Sequence, residues 1–298
     1  MKPCLHPSLV VVLGDNPDTG KKIIRFRGRS EDTIQSLSDL YGRENVLLIP
    51  CGQCESCRIN YAQVWSIRCS LEAMMTPYHY FITLTYDDLH YPFANLSDFT
   101  KWMKRMRKNY PDHHFKYFMS MERGERTNRL HFHVILFSQI ALSLSDGKFI
   151  NGFMRYKAKE IQSTWNLGVN NEVSEFECAC AKYVAKYTSK NGLVRMSRNL
   201  GKSYVLSHAS EIVADNFKVY GDFSDRNRYW VNLPSQCALW LLDFYESNVL
   251  SYKESLQVLS HLKQIYSMKN RCSTCEDIEV IDTIYDEKNK KRGVKGCL

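Results

Sequence analysis

The segment between residues 115 and 137 constrains the fold more than any other part of the sequence. Two runs with the alternation of β-strands, Phe115–Met121 and Leu130–Phe137, flank the turn-rich segment ERGERTNR. A short turn between two such runs predicts an antiparallel hairpin. Because side chains alternate along a strand, His131 and His133 share one face, while the apolar residues between and after them point into a core.

The elements around this hairpin predict an α+β domain. Alternation predicts further strands over residues 79–88 and 168–173, and residues 14–45 are predicted to be loop with a short hairpin around residues 23–26. Helical spacing and stop signals predict helices over residues 58–76, 97–110, 153–166, 175–190 and 235–266. We therefore expect a central antiparallel sheet of about five strands with helices packed on its faces.

Composition limits the class of protein and suggests three parts. With 44% hydrophobic and 24% charged residues, the 298-residue chain is neither disordered nor fibrous. We predict a Cys-rich N-terminal extension with a linking helix over residues 1–76, the α+β domain over 77–205, and a mainly helical region with a basic tail over 206–298. No apolar run approaches the roughly 18 residues of a membrane span, and the N-terminal apolar stretch is too short for a signal peptide.

Glu122 adds a third polar group to the two histidines. It ends the first strand of the hairpin, so the short turn brings it back beside His131. One carboxylate and two imidazoles can bind a divalent cation and leave positions open for water or phosphate oxygens. The alternative is that His131 and His133 are ordinary solvated or core histidines of a strand.

The predicted helix over 175–190 carries a second set of reactive groups. Tyr183 and Tyr187 are four residues apart and share one helix face, and Lys182, Lys186 and Lys190 form an adjoining strip. Nearby positive charge favours the phenolate, the form that a tyrosine nucleophile needs. The alternative is an amphipathic helix with core tyrosines and solvated lysines.

Positive charge is concentrated in two segments. The formal net charge is +8, yet residues 178–210 contain six bases and no acid, and residues 101–108 contain five bases and no acid. Such runs are typical of surfaces that follow a phosphate backbone, although a solvated helix face is the alternative. The candidate DNA-binding residues are Lys101, Lys104, Arg105, Arg107, Lys108, Lys182, Lys190, Arg195 and Arg198.

The eleven cysteines, an odd number without a secretory signal, favour metal binding over disulfides. Cys51, Cys54 and Cys57 form two overlapping Cys-x-x-Cys units, which can supply three thiolates to a structural Zn²⁺. Cys4 is the preferred fourth ligand, and Cys272 with Cys275 is the alternative source. An iron–sulfur centre and free thiols remain open.

Four motifs occur together in order: CGQCESCR, FITLTYDD, MERGE…RLHFHVILF and YVAKYTSK. In this the chain resembles the HUH endonuclease superfamily, and most closely the rolling-circle replication initiators of small single-stranded DNA bacteriophages, the microviruses of gokushovirus type. The resemblance covers roughly residues 46–190. It implies a ferredoxin-like split βαβ core of the HUH type within the α+β fold, and a nickase domain over 77–205.

The resemblance also implies an activity and a role for each candidate residue. Glu122, His131 and His133 would hold Mg²⁺ or Mn²⁺, Tyr183 and Tyr187 would be alternating nucleophiles, and Lys186 would act between them as a phosphate clamp or in proton transfer. The protein would nick the viral origin, form a 5′-phosphotyrosine link and free a 3′-hydroxyl for a host polymerase.

The partners and the location follow from the same resemblance. We expect a single-stranded DNA origin, a host DNA polymerase and a host helicase as partners, no membrane, and the host cell cytoplasm as the location. The alternative function is a non-catalytic, zinc-containing nucleic-acid-binding regulator. That alternative would explain the charge and the cysteines, but it leaves the carboxylate, the histidines and the tyrosine pair without a role.

Overall fold

The computed structural model describes residues 3–17, 22–27, 31–124, 128–150, 152–169, 171–176, 180–181, 184, 193–223 and 228–247. The chain divides into two compact units, residues 1–60 with 260–298, and residues 61–259. The domain boundaries predicted at residues 76 and 205 stay predictions.

The first unit contains a three-stranded antiparallel sheet in the order β2-β1-β3, formed by β1 (Ser8–Asp15), β2 (Lys22–Arg27) and β3 (Val46–Ile49). A helix, α1 (Glu31–Tyr41), and a 3-10 turn (Arg43–Asn45) lie between β2 and β3. The prediction of loop over residues 14–45 was therefore wrong for α1. Three of its residues, spaced for one helix face, pack on the four buried side chains of the sheet: Ile34, Leu37 and Tyr41.

The second unit is built on a seven-stranded sheet. The strands are β4 (Tyr78–Thr85), β5 (Phe115–Arg123), β6 (Leu130–Ser138), β7 (Leu144–Ile150), β8 (Phe153–Ala158), β9 (Glu172–Glu175) and β10 (Leu193–Met196). Their order is β10-β5-β6-β4-β9-β8-β7, and the neighbouring strands pair antiparallel. The predicted α+β class with a central antiparallel sheet is confirmed, with seven strands where about five were expected.

One face of this sheet is covered by α3 (Leu96–Asn109) and α4 (Lys159–Thr164). The Asn95 side chain accepts from the Ser97 amide at 2.8 Å and Asp98 accepts from the Asn95 amide at 3.1 Å, so a capping box begins α3. The apolar stripe of α3 then packs on the even-numbered side chains of β6. Phe132, Val134 and Leu136 are 0% exposed there, which confirms the predicted core side of that strand.

The other face of the sheet is covered as well. The helix α2 (Glu55–Ala73) begins in the first unit, and its residues Trp65 and Cys69 pack with Phe81, Ile135 and Phe137 in a second buried cluster. Since both faces are covered, β6 is buried along most of its length, unlike a strand with one solvated face. His131 and His133 belong to the face that α2 covers, because they share the parity of Ile135.

The segment 153–166 departs from its prediction. Its first part is the strand β8, which pairs with β7, and only Lys159–Thr164 is helical. The sequence Asn151-Gly152 is a strong hairpin-turn signal, and Gly152 has a φ of 85°, which favours glycine. The segment 168–176 also differs, because β9 includes Glu175, which was expected to begin a helix.

The remaining described part contains α5 (Lys202–Ser207), α6 (Ala209–Ala214), α7 (Ser235–Ser247) and a hairpin of β11 (Lys218–Asp222) with β12 (Arg228–Asn232). The predicted helix over 235–266 is confirmed as far as residue 247. The hairpin was not expected in a mainly helical region. Within the described ranges, none of the helices has the length and apolar character needed to cross a membrane.

Candidate active site

The hairpin of β5 and β6 brings Glu122, His131 and His133 together. In its register Glu122 lies opposite His131, and Ser120 lies opposite His133. One carboxylate oxygen, Oε1 of Glu122, is 2.6 Å from Nε2 of His131 and 2.8 Å from Nε2 of His133. The two Nε2 atoms are 3.1 Å apart. Three ligand atoms therefore converge on one point, as a divalent cation site requires.

The second nitrogen of each imidazole has a contact that orients the ring. Nδ1 of His131 is 3.2 Å from the carbonyl oxygen of Arg129, which can only accept, so Nδ1 carries a hydrogen there. Nδ1 of His133 is 3.3 Å from Oγ1 of Thr83, its neighbour across β4. The ring of Phe81 stacks on that of His133, with centroids 5.5 Å apart. These outer contacts leave both Nε2 atoms facing Glu122 as potential ligand atoms.

The electrostatics of the cluster favour ligand protonation states. Burial opposes ionisation of Glu122, but hydrogen bonds and charge from the two histidines outweigh it and lower its pKa to about 2. Burial is also the main reason why the pKa of His133 is lowered, so the neutral imidazole is favoured near pH 7. A carboxylate beside a neutral imidazole is a donor set for a divalent cation.

The cluster remains accessible from solvent. The side chains of His131, Glu122 and His133 are 16%, 13% and 8% exposed. A bound ion would thus be held by buried protein ligands on one side and reachable by an external oxygen on the other.

The predicted nucleophiles lie outside the described residues, as do the lysines beside them: Tyr183, Tyr187, Lys182, Lys186 and Lys190. Within the same segment, Cys180, Ala181 and Val184 are described and are helical. Ala181 and Val184 are buried in the cluster that contains Phe81 and Ile135. The described part of this helix therefore packs on the sheet face that carries the two histidines.

The basic run of α3 lies on the opposite face of the sheet from the histidines, because α3 packs on the even-numbered residues of β6. Lys101, Lys104, Arg107 and Lys108 are exposed. Arg105 is half-buried, and its Nε donates to the carbonyl oxygen of Thr164 at 2.6 Å. The structure does not bring this run to the cluster, and its role in DNA binding stays a prediction.

The two described bases of the second run lie near the edge strand β10. Val194 and Met196 pack on the histidine side of the sheet, so Arg195 between them points to the other side and is exposed. Arg198 lies in the turn after β10 and is exposed. The histidine face therefore does not carry the Arg195 side chain.

A cavity of about 240 Å³ lies beside His133. It extends across the histidine face of the sheet and is lined by Phe81, Thr83, His133, Phe153, Arg155, Ser174 and Cys180. One guanidinium nitrogen of Arg155 donates to Oε2 of Glu172 at 2.8 Å, while its Nε is buried and has no hydrogen-bond partner among the described residues. The cavity thus combines aromatic walls with a cationic donor.

The sequence analysis missed Phe153 and Arg155 because it predicted a helix over the segment 153–166. The Asn151-Gly152 turn followed by the alternation Phe153-Met154-Arg155-Tyr156 would have revealed the strand. Thr83 was part of a predicted strand but received no role. Its position opposite His133 follows only from strand order and register.

The cysteines near the N-terminus form a second cluster. Sγ of Cys4 is 3.6 Å from Sγ of Cys51 and 3.8 Å from that of Cys54, and the sulfurs of Cys51 and Cys57 are 4.0 Å apart. Although burial disfavours the thiolate of Cys54, hydrogen bonds from backbone amides and the neighbouring thiols lower its pKa to about 6. Cys272 and Cys275, the alternative ligand source, lie outside the described residues.

Comparison with known proteins bears on the domain that carries Glu122, His131 and His133. Residues 79–192 match a family model described as that of the replication-associated protein ORF2. The resemblance to the phage replication-associated proteins is confirmed. The matched segment begins within β4 and ends just before β10, so it includes the hairpin and the predicted tyrosine helix.

Three viral relatives are similar to a larger part of the chain. The replication-associated protein ORF2 of Spiroplasma virus 4 is 30% identical over 196 residues, which is 56% of this chain and 60% of the relative. The replication-associated protein VP4 of Bdellovibrio phage phiMH2K is 32% identical over 47% of this chain and 48% of its own. The replication-associated protein ORF4 of Chlamydia phage 1 is 26% identical over 52% and 41%. The chain thus matches about half the length of these relatives, and no solved structure matches it.

Proposed function

We propose that this protein initiates rolling-circle replication of a phage genome as a metal-dependent, site-specific single-strand DNA nickase and strand transferase. The observation that carries the proposal is the convergence of Glu122, His131 and His133 on the sheet face against which Ala181 and Val184 of the predicted tyrosine helix pack. The replication-associated names of the relatives support the role in replication.

The donor set fits a divalent cation such as Mg²⁺ or Mn²⁺. Two imidazole nitrogens and one carboxylate oxygen suit Mn²⁺ well, and three protein ligands leave positions for water or a phosphate oxygen. When bound, the ion would supply Lewis-acid polarisation of the scissile phosphodiester and offset the charge that develops on its oxygens.

The chemistry of cleavage would come from the tyrosines. The phenol oxygen of Tyr183 or Tyr187 would form a bond to phosphorus while the bond from phosphorus to the 3′ oxygen breaks. The phenol proton would be lost to solvent and the leaving oxygen would take up a proton. The products would be a 5′-phosphotyrosine and a free 3′-hydroxyl, and Lys186 would hold the phosphate or assist proton transfer.

The second tyrosine would close the cycle. After one round of synthesis it would attack the newly made origin, and the first phosphotyrosine would then be displaced by the freed 3′-hydroxyl. That exchange conserves the number of phosphodiester bonds and needs no nucleotide hydrolysis. A host polymerase would extend the 3′-hydroxyl, and a host helicase would unwind the duplex.

The cavity beside His133 suits one nucleobase of the single-stranded substrate. Phe81 and Phe153 give it aromatic walls, on which any base can stack. The buried Nε of Arg155 offers a donor to a base edge or an adjacent phosphate. A base held there would place its own phosphate next to the metal ligands, because His133 lines both sites.

A cleavage assay tests the proposal. End-labelled single-stranded oligonucleotides that tile the genome encoding this chain are incubated with the protein and Mn²⁺, and the products are sized. We expect one cleaved sequence, a 3′-hydroxyl end, and no cleavage by His131→Ala/His133→Ala or in EDTA. Arg58→Ala, a change outside the cluster, serves as the matched control and should cleave normally.

Two results would contradict the proposal. Cleavage that survives EDTA would refute the metal requirement. Tight binding of one oligonucleotide without cleavage in any divalent cation would favour the alternative of a non-catalytic nucleic-acid-binding regulator.

A further inference from the structure

Four cysteines of the first unit form a cluster that the proposed nickase does not use. All the sulfur atoms of Cys4, Cys51, Cys54 and Cys57 lie within 4.8 Å of one another. The closest measured pairs are 3.6, 3.8 and 4.0 Å apart. A disulfide needs about 2.05 Å, so the four thiols are free and mutually close.

These separations match one tetrahedral ion. A zinc ion bonded to sulfur at about 2.3 Å gives sulfur–sulfur edges of about 3.8 Å in a regular tetrahedron. The space between the four sulfurs holds a single ion and is too small for a multi-iron cluster, whose thiolate ligands surround several metal atoms. All four positions would be filled by protein, which is the pattern of a structural site.

The local fold explains why these four residues meet. In the antiparallel pairing of β1 and β3, Ser8 lies opposite Ile49, and extending that register places residue 4 opposite residue 53. Cys4 is thereby returned to the Cys-x-x-Cys knuckle. Gly52 has a φ of 74°, the conformation that lets the chain turn sharply between Cys51 and Cys54.

Backbone amides point at the sulfurs. The amides of Gln53 and Cys54 donate to Sγ of Cys51 at 3.4 and 3.3 Å, and the amide of Cys51 donates to Sγ of Cys4 at 3.3 Å. Such donors stabilise thiolates that share a metal and fix their orientation. A knuckle that packed four neutral thiols would have no need of them.

We propose that Cys4, Cys51, Cys54 and Cys57 bind one Zn²⁺ in a closed four-thiolate site that stabilises the first unit. The need for it follows from the small core of that unit, in which four buried side chains contact a single short helix. Small folds with such cores are commonly held by a metal. The site is independent of the nickase activity, because its ligands are separate from Glu122, His131 and His133.

Metal analysis of the purified full-length protein tests the proposal. We expect about one zinc per chain by mass spectrometry of the metals, and about none for Cys54→Ser. Cys69→Ser and Cys237→Ser, which change buried cysteines elsewhere, should keep the zinc. Cobalt exchanged into the site should give the strong visible absorption of a tetrahedral thiolate complex. Cys57→His, which preserves a ligand, should retain the metal and shift that absorption.

The same experiment identifies the fourth ligand and the failures. Cys4→Ser should lose zinc while Cys272→Ser/Cys275→Ser keeps it, and the reverse would overturn the assignment of Cys4. Iron in place of zinc, a metal-free folded protein, or a disulfide among the four would each refute the zinc site. His131→Ala/His133→Ala should leave the zinc unchanged, so a failure of the nickase proposal is distinguishable from a failure of this one.

Discussion

Replacing Thr83 by valine tests whether the cluster is a metal site whose ligands are oriented by outer contacts. The change removes the hydroxyl oxygen that lies 3.3 Å from Nδ1 of His133 and leaves nearly the same volume in the strand. Without that acceptor, the imidazole tautomer with its hydrogen on Nε2 becomes more favourable, and that tautomer cannot coordinate a metal through Nε2. We therefore expect weaker Mn²⁺ binding rather than a changed fold.

The structure also sets the size of the effect. Loss of such outer contacts typically weakens metal binding by about 10–100-fold. The 3.3 Å contact is long for a hydrogen bond, and stacking on Phe81 still holds the ring. The lower end is therefore expected, about tenfold, or about 1.4 kcal/mol of binding free energy.

Calorimetric titration of the metal-free protein with Mn²⁺ measures this change. Thr76→Val is the matched control, since the Thr76 hydroxyl donates to the backbone oxygen of Glu72, outside the cluster. Its Mn²⁺ affinity should equal that of the wild type. Thr83→Val with unchanged affinity would refute the orienting role, and unfolding of metal-free Thr83→Val would show that the effect is one of stability.

Three further predictions concern the core, the cavity and the basic helix. Phe132→Ala, at a position with 0% exposure, should cost about 3–5 kcal/mol and lower the melting temperature by at least about 6 °C, whereas Phe149→Ala, 73% exposed, should change it little; equal effects would contradict the packing. Arg155→Ala should weaken binding of cleavable single-stranded DNA about tenfold and leave Mn²⁺ affinity unchanged, so an unaltered DNA affinity would remove Arg155 from the DNA site. Lys104→Ala should lower the salt dependence of DNA binding by about one phosphate contact without changing the cleavage rate at saturating DNA, and an unchanged salt dependence would show that α3 does not follow the backbone.

The sequence was most informative where the signal is local and strictly periodic. The alternation around His131 and the short turn after Glu122 were enough to predict a hairpin, its face and the pairing of two residues. The same holds for Cys51, Cys54 and Cys57, whose spacing alone brings them together. Cys4 was chosen on an expected return of the N-terminal strand, which the register of β1 and β3 supports.

The remainder depends on long-range packing that a single sequence does not encode locally. Thr83 and Arg155 meet beside His133 only because β4, β9 and β8 are neighbours in the sheet. Likewise, the basic run of α3 was expected to flank the site, but its side of the sheet is decided by which face its apolar stripe covers. Charge patterns show that a surface is basic, not which way it faces.

The most direct test of the central claim is to identify the covalent intermediate by mass spectrometry. The full-length protein is incubated with Mn²⁺ and the oligonucleotide that it cleaves, then digested and searched for a nucleotide-modified peptide. We predict a 5′-phosphotyrosine on Tyr183 or Tyr187, absent from the Tyr183→Phe/Tyr187→Phe variant and from Glu122→Gln, while Arg58→Ala still forms it. Cleavage with no covalent adduct, or an adduct at any other residue, would contradict the account.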